Sequence, residues 1–218
     1  MKSKIFTPRF LFVTFTILLA AISRLLPHPF NFTPIGAMAL FGGVYLSSPN
    51  PKGRNAEGML AKVLAPFRAG GISFLIPLFA MLISDSFLEL VSGIGFHNTI
   101  IYVYASFVLI TGIGIYIRHN VNATNIIVAS LISSVLFFLI TNFGVWQVSV
   151  PRFAGAEGGF VNGINGLLST YLLGIPFYNH ELFGSFFFNT IAGDLFWCGI
   201  LFGSYYFAKA KFPVLAKV

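Results

Sequence analysis

The sequence predicts an all-α integral membrane protein, a single bundle of six transmembrane helices, and three observations support that prediction. Hydrophobic residues make up 56% of the chain and charged residues only 9%, with a mean hydropathy of +0.86. A soluble domain needs more charge than this to cover its surface. Long apolar segments recur along the chain, and the basic residues fall mostly on one side of the bilayer that these segments define.

The helices are predicted from the length of each apolar run. Five runs are long enough, or nearly so, to cross roughly 30 Å of hydrocarbon at about 1.5 Å per residue. They cover residues 10–26, 72–91, 99–117, 124–146 and 186–208. A sixth run, residues 34–47, is short and rich in glycine, so it is either a closely packed span or a re-entrant segment. We take it as the second span, and residues 1–218 then form one transmembrane domain.

The segments between the spans include one basic loop and one long connection. Residues 48–70 are predicted to be a basic cytoplasmic loop that sets the topology and touches anionic lipid; a partner-docking surface is the alternative. The connection 147–185 is predicted to lie outside and contains another apolar run, residues 164–178, which Pro176 interrupts. We expect this run to form a helix on the outer surface, although a seventh span is the alternative.

The distribution of charge predicts the orientation in the membrane. If the first span runs outward, eleven of the thirteen Lys and Arg residues lie on the cytoplasmic side, and only Arg24 and Arg152 lie outside. This bias predicts cytoplasmic termini and a location in the inner (plasma) membrane. The net charge of +7 is therefore interpreted as topology and not as a nucleic-acid surface. The single cysteine excludes a disulfide framework.

Polar side chains are concentrated in the predicted outer half of the spans. Asp85 lies roughly 9 Å below the outer end of the third span, and Glu89 lies one turn closer to water. Asn142 lies near the outer end of the fifth span, and Asp194 lies roughly 12 Å inside the last one. Because a buried carboxylate costs several kcal/mol unless it is paired, protonated or hydrated, such acids are candidates for function. The alternative is that either aspartate pairs with Arg24 and only locks the bundle.

The outer loops add further candidates. Between the first two spans the stretch RLLPHPFNFTP places Arg24, His28 and Asn31 on a segment stiffened by proline. This loop is predicted to be either a lid or pocket wall, or an ordinary turn capped at Thr33. The remaining polar loop residues are predicted to have no role in a site: His97, His180 and Glu181.

No pattern in the sequence predicts catalysis or a bound cofactor. The histidines and acids lack the close spacing of metal-ligand pairs, and no Walker A loop, Gly-x-Ser-x-Gly elbow or HExxH helix occurs. Cys198 follows Asp194 by four residues and is predicted to be a small buried hydrophobe, with a soft ligand as the alternative. We therefore expect no enzyme, although a membrane-embedded enzyme built on Asp85, His28 and Asp194 is an alternative.

Four motifs together resemble a known group of membrane proteins. They are RLLPHPFNFTPIGAMALFGG, the Ser84-Asp85 pair, TNFGVW and GDLFWCGILFG. They resemble an uncharacterised bacterial family of proposed transport proteins. That family is similar in size, number of spans and placement of polar groups to the S components, the substrate-binding subunits of energy-coupling-factor (ECF) vitamin transporters.

The resemblance implies a function in uptake of a vitamin or other micronutrient. An S-component-like bundle captures its ligand in an outward-facing pocket and works with a transmembrane coupling subunit and cytoplasmic ATPases. On this reading Asp85 and Asp194 bind the ligand, Asn142 orients it, and Trp146 and Trp197 stack on a ring. The loop that carries Arg24, His28 and Asn31 closes above a vitamin-like ligand, conceivably of the cobalamin type. A membrane scaffold whose outer polar groups pair with each other is the alternative function.

Overall fold

The structure, a computed structural model, describes residues 7–47, 71–93, 95–153, 163–174 and 185–216. Every regular element in these ranges is helical, so the predicted all-α fold is confirmed. The helices are α1 (Pro8–Ser23), α2 (Ile35–Leu46), α3 (Gly71–Ser92), α4 (Ile100–Ile117), α5 (Ala123–Phe153), α6 (Ile164–Gly174) and α7 (Phe186–Lys211), and a short 3-10 helix follows at Pro213–Ala216.

Four helices in the described ranges are long and apolar enough to cross a membrane. They contain the segments Phe74–Ser92, Ile100–Ile117, Ala123–Val148 and Phe187–Lys211. Helices α1 and α2 are also apolar but have only 16 and 12 residues. The chain therefore has the helices of a multi-pass membrane protein, and the crossing by α1 and α2 stays a prediction.

The bounds of α1 follow local chemistry. The hydroxyl of Thr7 accepts a hydrogen bond from the backbone N–H of Phe10 at 3.1 Å, which caps the N-terminus. The helix ends at Ser23, earlier than the predicted segment 10–26, because the next residues form turns that lead to Pro27.

The region after α4 also differs from the prediction. Helix α5 continues past the predicted segment 124–146 as far as Phe153, so the first residues of the predicted outer loop are helical. Within the predicted surface segment 164–178, the described helix α6 covers Ile164–Gly174.

Helix α2 lies in the centre of the bundle. It packs against α1, α3, α4, α5 and α7, and its residues 35–44 are all buried. Residues 35–44 of α2 are therefore covered by protein on every face, as expected for a helix that is hydrophobic all round. Helix α2 thus contributes many of the core residues, and the helices around it have apolar outer faces.

Two glycines allow α2 and α4 to approach each other at backbone distance. A Cβ atom on Gly43 would collide with the carbonyl oxygen of Thr111, and one on Gly114 would collide with that of Leu40. Small residues at a helix crossing permit such close packing in membrane proteins. Any larger side chain at either position would force the two helices apart.

Helices α1 to α5 alternate in direction, so each end of the bundle contains termini of several helices. At one end Arg24, which follows α1, meets Asp85 of α3 and Tyr104 of α4. At the opposite end Arg9 of α1 lies over the ring of Tyr45, near the end of α2. We call these the Arg24 end and the Arg9 end.

Candidate functional site

Asp85 is the centre of a polar network at the Arg24 end. Its Oδ1 lies 2.7 Å from Nη1 of Arg24, and its Oδ2 accepts a hydrogen bond from the hydroxyl of Tyr104 at 2.9 Å. Arg24 also donates to the hydroxyl of Ser84. The side chains of Arg24 and Asp85 are only 10% and 4% exposed. Both carboxylate oxygens are therefore occupied by partners within the chain.

The network connects the end of α1 with the consecutive helices α3 and α4. Arg24 immediately follows the end of α1, so its long side chain reaches across to α3. Ser84 donates its own proton to the carbonyl of Met81 at 3.0 Å, which leaves its lone pairs to accept from Arg24. Removing one partner of such a buried pair costs about 3–5 kcal/mol, because the other charge is left uncompensated.

Asp194 is the centre of a second network, built on the start of α2. Its Oδ2 accepts a hydrogen bond from the Ser134 hydroxyl of α5 at 2.7 Å, and the backbone N–H groups of Gly36 and Ala37 also donate to it. The residue before α2 is Pro34, which provides no side-chain cap. Asp194 therefore caps the N-terminus of α2 from a different helix, where a carboxylate also complements the helix dipole.

Gly36 is required by this arrangement. A Cβ atom at this position would overlap the carboxylate group of Asp194. Gly36, one of the glycines of the short second segment, therefore lets a buried carboxylate reach the backbone of the helix.

The loop between α1 and α2 packs on α7. The side-chain amide of Asn189 donates to the carbonyl of Phe30 at 2.8 Å. Asn31 has a φ of 62° in a turn that the backbone N–H of Phe32 closes on Pro29 at 3.0 Å. Asparagine tolerates this left-handed conformation better than most residues. The loop is therefore held in place by α7 and by its own turn.

The structure does not bring His28 or Asn31 into either carboxylate network. His28 is exposed, and its Nδ1 lies 2.9 Å from the carbonyl oxygen of Pro29 within the same loop. The side chain of Asn31 is exposed as well. Their part in a lid stays a prediction.

The remaining predicted site residues pack separately. Asn142 donates to the carbonyl of Phe138 at 2.8 Å, one turn earlier on its own helix. Trp146 packs against Phe143, with ring centroids 5.6 Å apart, and Trp197 packs against Phe196 at 5.4 Å. Among the described residues, neither indole N–H has a hydrogen-bond partner.

The other polar residues considered above lie outside these networks. Glu89 accepts from the backbone N–H of Phe96 at 2.9 Å and so closes the turn after α3, and His97 is exposed. His180 and Glu181 lie outside the described residues. Within the described ranges, no three His, Cys, Asp or Glu side chains are grouped to hold a metal ion.

A large cleft lies at the opposite end of the molecule. Its volume is about 930 Å³, and one face of α7 from Leu195 to Lys209 forms a long wall. The start of α5, the end of α2 and the residues after α4 complete it. The volume falls within the range of small-molecule sites, roughly 300–1,000 Å³.

The cleft combines an apolar interior with basic residues. Arg9, Arg118 and Lys209 line it, and no Asp or Glu is among its described lining residues. The guanidinium of Arg9 lies 5.5 Å from the centre of the Tyr45 ring, which itself stacks on Tyr205 with ring centroids 4.0 Å apart. These groups give the cleft a positive field and an aromatic wall.

Two glycines of α7 open the cleft further. A Cβ atom on Gly199 or Gly203 would meet no other atom within 4 Å. The two are four residues apart, so they leave a flat strip on one face of the helix. Cys198, which lies next to this strip, is buried and has a free thiol.

Sequence reasoning identified the two aspartates but missed most of their surroundings. Tyr104 and Ser134 are ordinary residues of apolar helices, and nothing in their local sequence indicates a bond to a distant carboxylate. The cleft was missed because Arg9 and Lys209 were interpreted only as determinants of topology. The Gly199-x-x-x-Gly203 pattern was the one local signal of an open helix face.

Comparison with known proteins identifies a family but no characterised relative. No curated protein matches the chain, and no solved structure matches it. A family described as a family of unknown function, DUF6580, matches residues 4–52 and 59–215. This match covers nearly the whole chain, and the protein therefore belongs to the DUF6580 family.

Proposed function

We propose that this protein is a membrane transport protein that binds a small molecule in the cleft. The observation that carries the proposal is the contrast between the two ends of the bundle. At the Arg24 end the carboxylates of Asp85 and Asp194 are bonded to groups of the chain itself, whereas at the Arg9 end a cleft of about 930 Å³ lies between α5 and α7. A cleft of this volume is typical of a protein that binds a small molecule, and a purely structural helix bundle does not require one.

The proposed topology has six crossing helices, with α6 at the surface. The alternation of helix directions is compatible with α1 to α5 and α7 each crossing once. Because eleven of the thirteen basic residues then face the cytoplasm, the Arg9 end is cytoplasmic and the membrane is the inner (plasma) membrane. The cleft accordingly opens toward the cytoplasmic leaflet, and the Arg24 end faces outward.

The network around Asp85 acts as the closed outer side of the transport route in this proposal. Arg24, Asp85 and Tyr104 connect α1, α3 and α4, so an outward opening must break or hydrate this ion pair. The predicted ligand role of Asp85 and Asp194 belongs to such an outward-open form, in which water or ligand would replace their present partners. The buried pair thus opposes opening until a ligand offers equivalent contacts.

The finer parts of the sequence-based hypothesis remain predictions. These are an ECF-type system, a vitamin of the cobalamin type as ligand, and the requirement for a coupling subunit and ATPases.

A membrane scaffold is the second candidate, and one observation favours it. The described contacts of Asp85 and Asp194 connect one helix to another, as expected if these side chains only fix the helices against each other. The scaffold hypothesis gives no role to the cleft, so a test on the cleft separates the two functions.

The test is native mass spectrometry of the full chain gently released from its own membranes, with detection of retained small-molecule mass. The Gly199→Leu variant fills the cleft, and because a Cβ atom there meets nothing within 4 Å, it is expected to fold. Ala105→Leu, at an exposed position of α4 away from the cleft, is the matched control. A third variant, Asp85→Asn with Asp194→Asn, tests the Arg24 end.

We expect one adduct per chain that persists in Ala105→Leu and disappears in Gly199→Leu. Loss of the adduct only in the double aspartate variant would place the ligand at the Arg24 end and refute binding in the cleft. A clean apo mass in every sample would refute ligand capture and leave the scaffold.

A further inference from the structure

We infer that the occupant of the cleft is an anionic phospholipid of the surrounding bilayer, whose phosphate lies at Arg9 and Lys209 and whose acyl chain lies along α7. This inference rests on the proposed function and names the class of its substrate. It is supported by the charge of the lining, by the length and polarity of the α7 wall, and by the exposed residues that border the cleft.

The lining charge selects an anion. Arg9 and Lys209 line the cleft at the position proposed for the phosphate, and no Asp or Glu is among the described lining residues. The Nε of Arg9 is buried and has no hydrogen-bond partner among the described residues. Its guanidinium is fixed over Tyr45, which presents the remaining donors of a planar group suited to phosphate oxygens.

The length and the apolar residues of the α7 wall indicate that the anion carries an apolar chain. From Lys209 the wall continues along α7 to Leu195, which is about 21 Å at roughly 1.5 Å per residue. Between these ends the wall is formed by Phe202 and the open glycines Gly199 and Gly203. A strip of this length is longer than one leaflet, which is about half of a hydrocarbon core of roughly 30 Å, so it can accommodate an acyl chain of that leaflet.

The exposed apolar residues that border the cleft favour a membrane lipid over a dissolved amphiphile as its ligand. Ile127 of α5 and Tyr206 of α7 both line the cleft and are 48% and 70% exposed on the apolar flank of the bundle. In a membrane this flank faces hydrocarbon, so the cleft is open sideways to the bilayer. Basic pockets between transmembrane helices on the cytoplasmic side are the kind of site that anionic lipid head groups occupy.

The experiment measures lipid binding to the delipidated full chain in detergent by native mass spectrometry. The probes are phosphatidylglycerol, phosphatidylcholine with the same acyl chains, and glycerol phosphate, which has the anionic head without chains. The variants are Arg9→Gln and Lys209→Gln, with Lys211→Gln as the control because Lys211 is on the same helix but does not line the cleft. Gly199→Leu reports on the chain-binding strip.

We expect one phosphatidylglycerol to bind per chain, and about fivefold weaker binding for each cation removed at the head-group position. Lys211→Gln should bind as the unmodified chain does, and Gly199→Leu should lose binding. Equal binding of phosphatidylcholine, or unchanged binding in both cation variants, would overturn the inference. Binding of glycerol phosphate that displaces the lipid would also overturn it and identify a soluble anion.

The same data separate the inference from the function on which it rests. If the adduct from native membranes disappears in Gly199→Leu but is unaffected by Arg9→Gln and Lys209→Gln, the cleft binds a ligand and the lipid assignment alone is wrong. If Gly199→Leu changes neither the native adduct nor lipid binding, the cleft is not a binding site and both fail.

Discussion

The buried Arg24–Asp85 pair gives the sharpest prediction about stability. We consider three variants: Arg24→Met, Asp85→Leu and the double variant with both changes. Each replaces a charged side chain by an apolar one of similar length or volume. The wild-type pair has an N–O distance of 2.7 Å, with 10% and 4% of the two side chains exposed.

The expected magnitudes follow from which charge is left without its partner. Arg24→Met leaves the carboxylate of Asp85 buried with only the Tyr104 hydroxyl as a donor, so the free energy of unfolding should fall by about 3–5 kcal/mol. Asp85→Leu should cost less, because Arg24 is more exposed than Asp85 and its long side chain can turn toward water. The double variant buries no charge there and should recover most of the loss, which corresponds to an interaction energy of about 3 kcal/mol.

The assay is reversible unfolding in mixed micelles by increasing amounts of a denaturing detergent, followed by the fluorescence of Trp146 and Trp197. Lys211→Met, at an exposed residue, serves as the control for removal of a cation and should change the free energy of unfolding by less than about 0.5 kcal/mol. If the losses from the two single variants simply add in the double variant, the pair is not coupled. The proposal that this network keeps the outer side of the transport route closed would then be refuted.

Two further predictions follow from the described contacts. Gly36→Ala should lower the free energy of unfolding by several kcal/mol, because the new Cβ atom would overlap the carboxylate of Asp194 that caps α2. Gly199→Ala should change it by less than about 1 kcal/mol, because the space at that position is open. Equal effects of the two variants in thermal unfolding would contradict both assignments. In whole cells, a chain whose native cysteine is replaced by serine should react with a membrane-impermeant maleimide at Asn31→Cys but not at Asn120→Cys. The reverse pattern would show that the orientation proposed here is inverted.

Much of the fold could be predicted from the sequence because membrane helices are defined by local composition. The short second segment 34–47 was correctly predicted as helical, and α2 occupies Ile35–Leu46. Its position in the centre could not be predicted. That position depends on the Gly43–Gly114 contact with α4, and glycines in an apolar run indicate only that some neighbour comes close.

The candidate site was less predictable, because helix partners are determined by packing between distant segments. Asp85 and Asp194 were identifiable because carboxylates are rare in apolar runs. Pairing with Arg24 was one of two alternatives for either aspartate, and the structure shows it for Asp85 alone. For Asp194 the partners are Ser134 and the backbone of α2. A bond to a backbone N–H cannot be predicted from residue types, because nearly every residue has this donor.

The two ends of the bundle use charge in different ways, and this difference connects the proposals. The acidic side chains that the structure describes, Asp85, Glu89 and Asp194, all bond to groups at or near the Arg24 end. Within the described ranges, no Asp or Glu lines the cleft beside Arg9 and Lys209. A cytoplasmic leaflet rich in anionic lipid would attract these same residues whether they only orient the chain or also bind a head group.

Orientation requires only that the charges lie on that side, whereas binding also requires an apolar space beside them. The open strip at Gly199 and Gly203 provides that space, which is why the cleft, and not the number of basic residues, favours a lipid site.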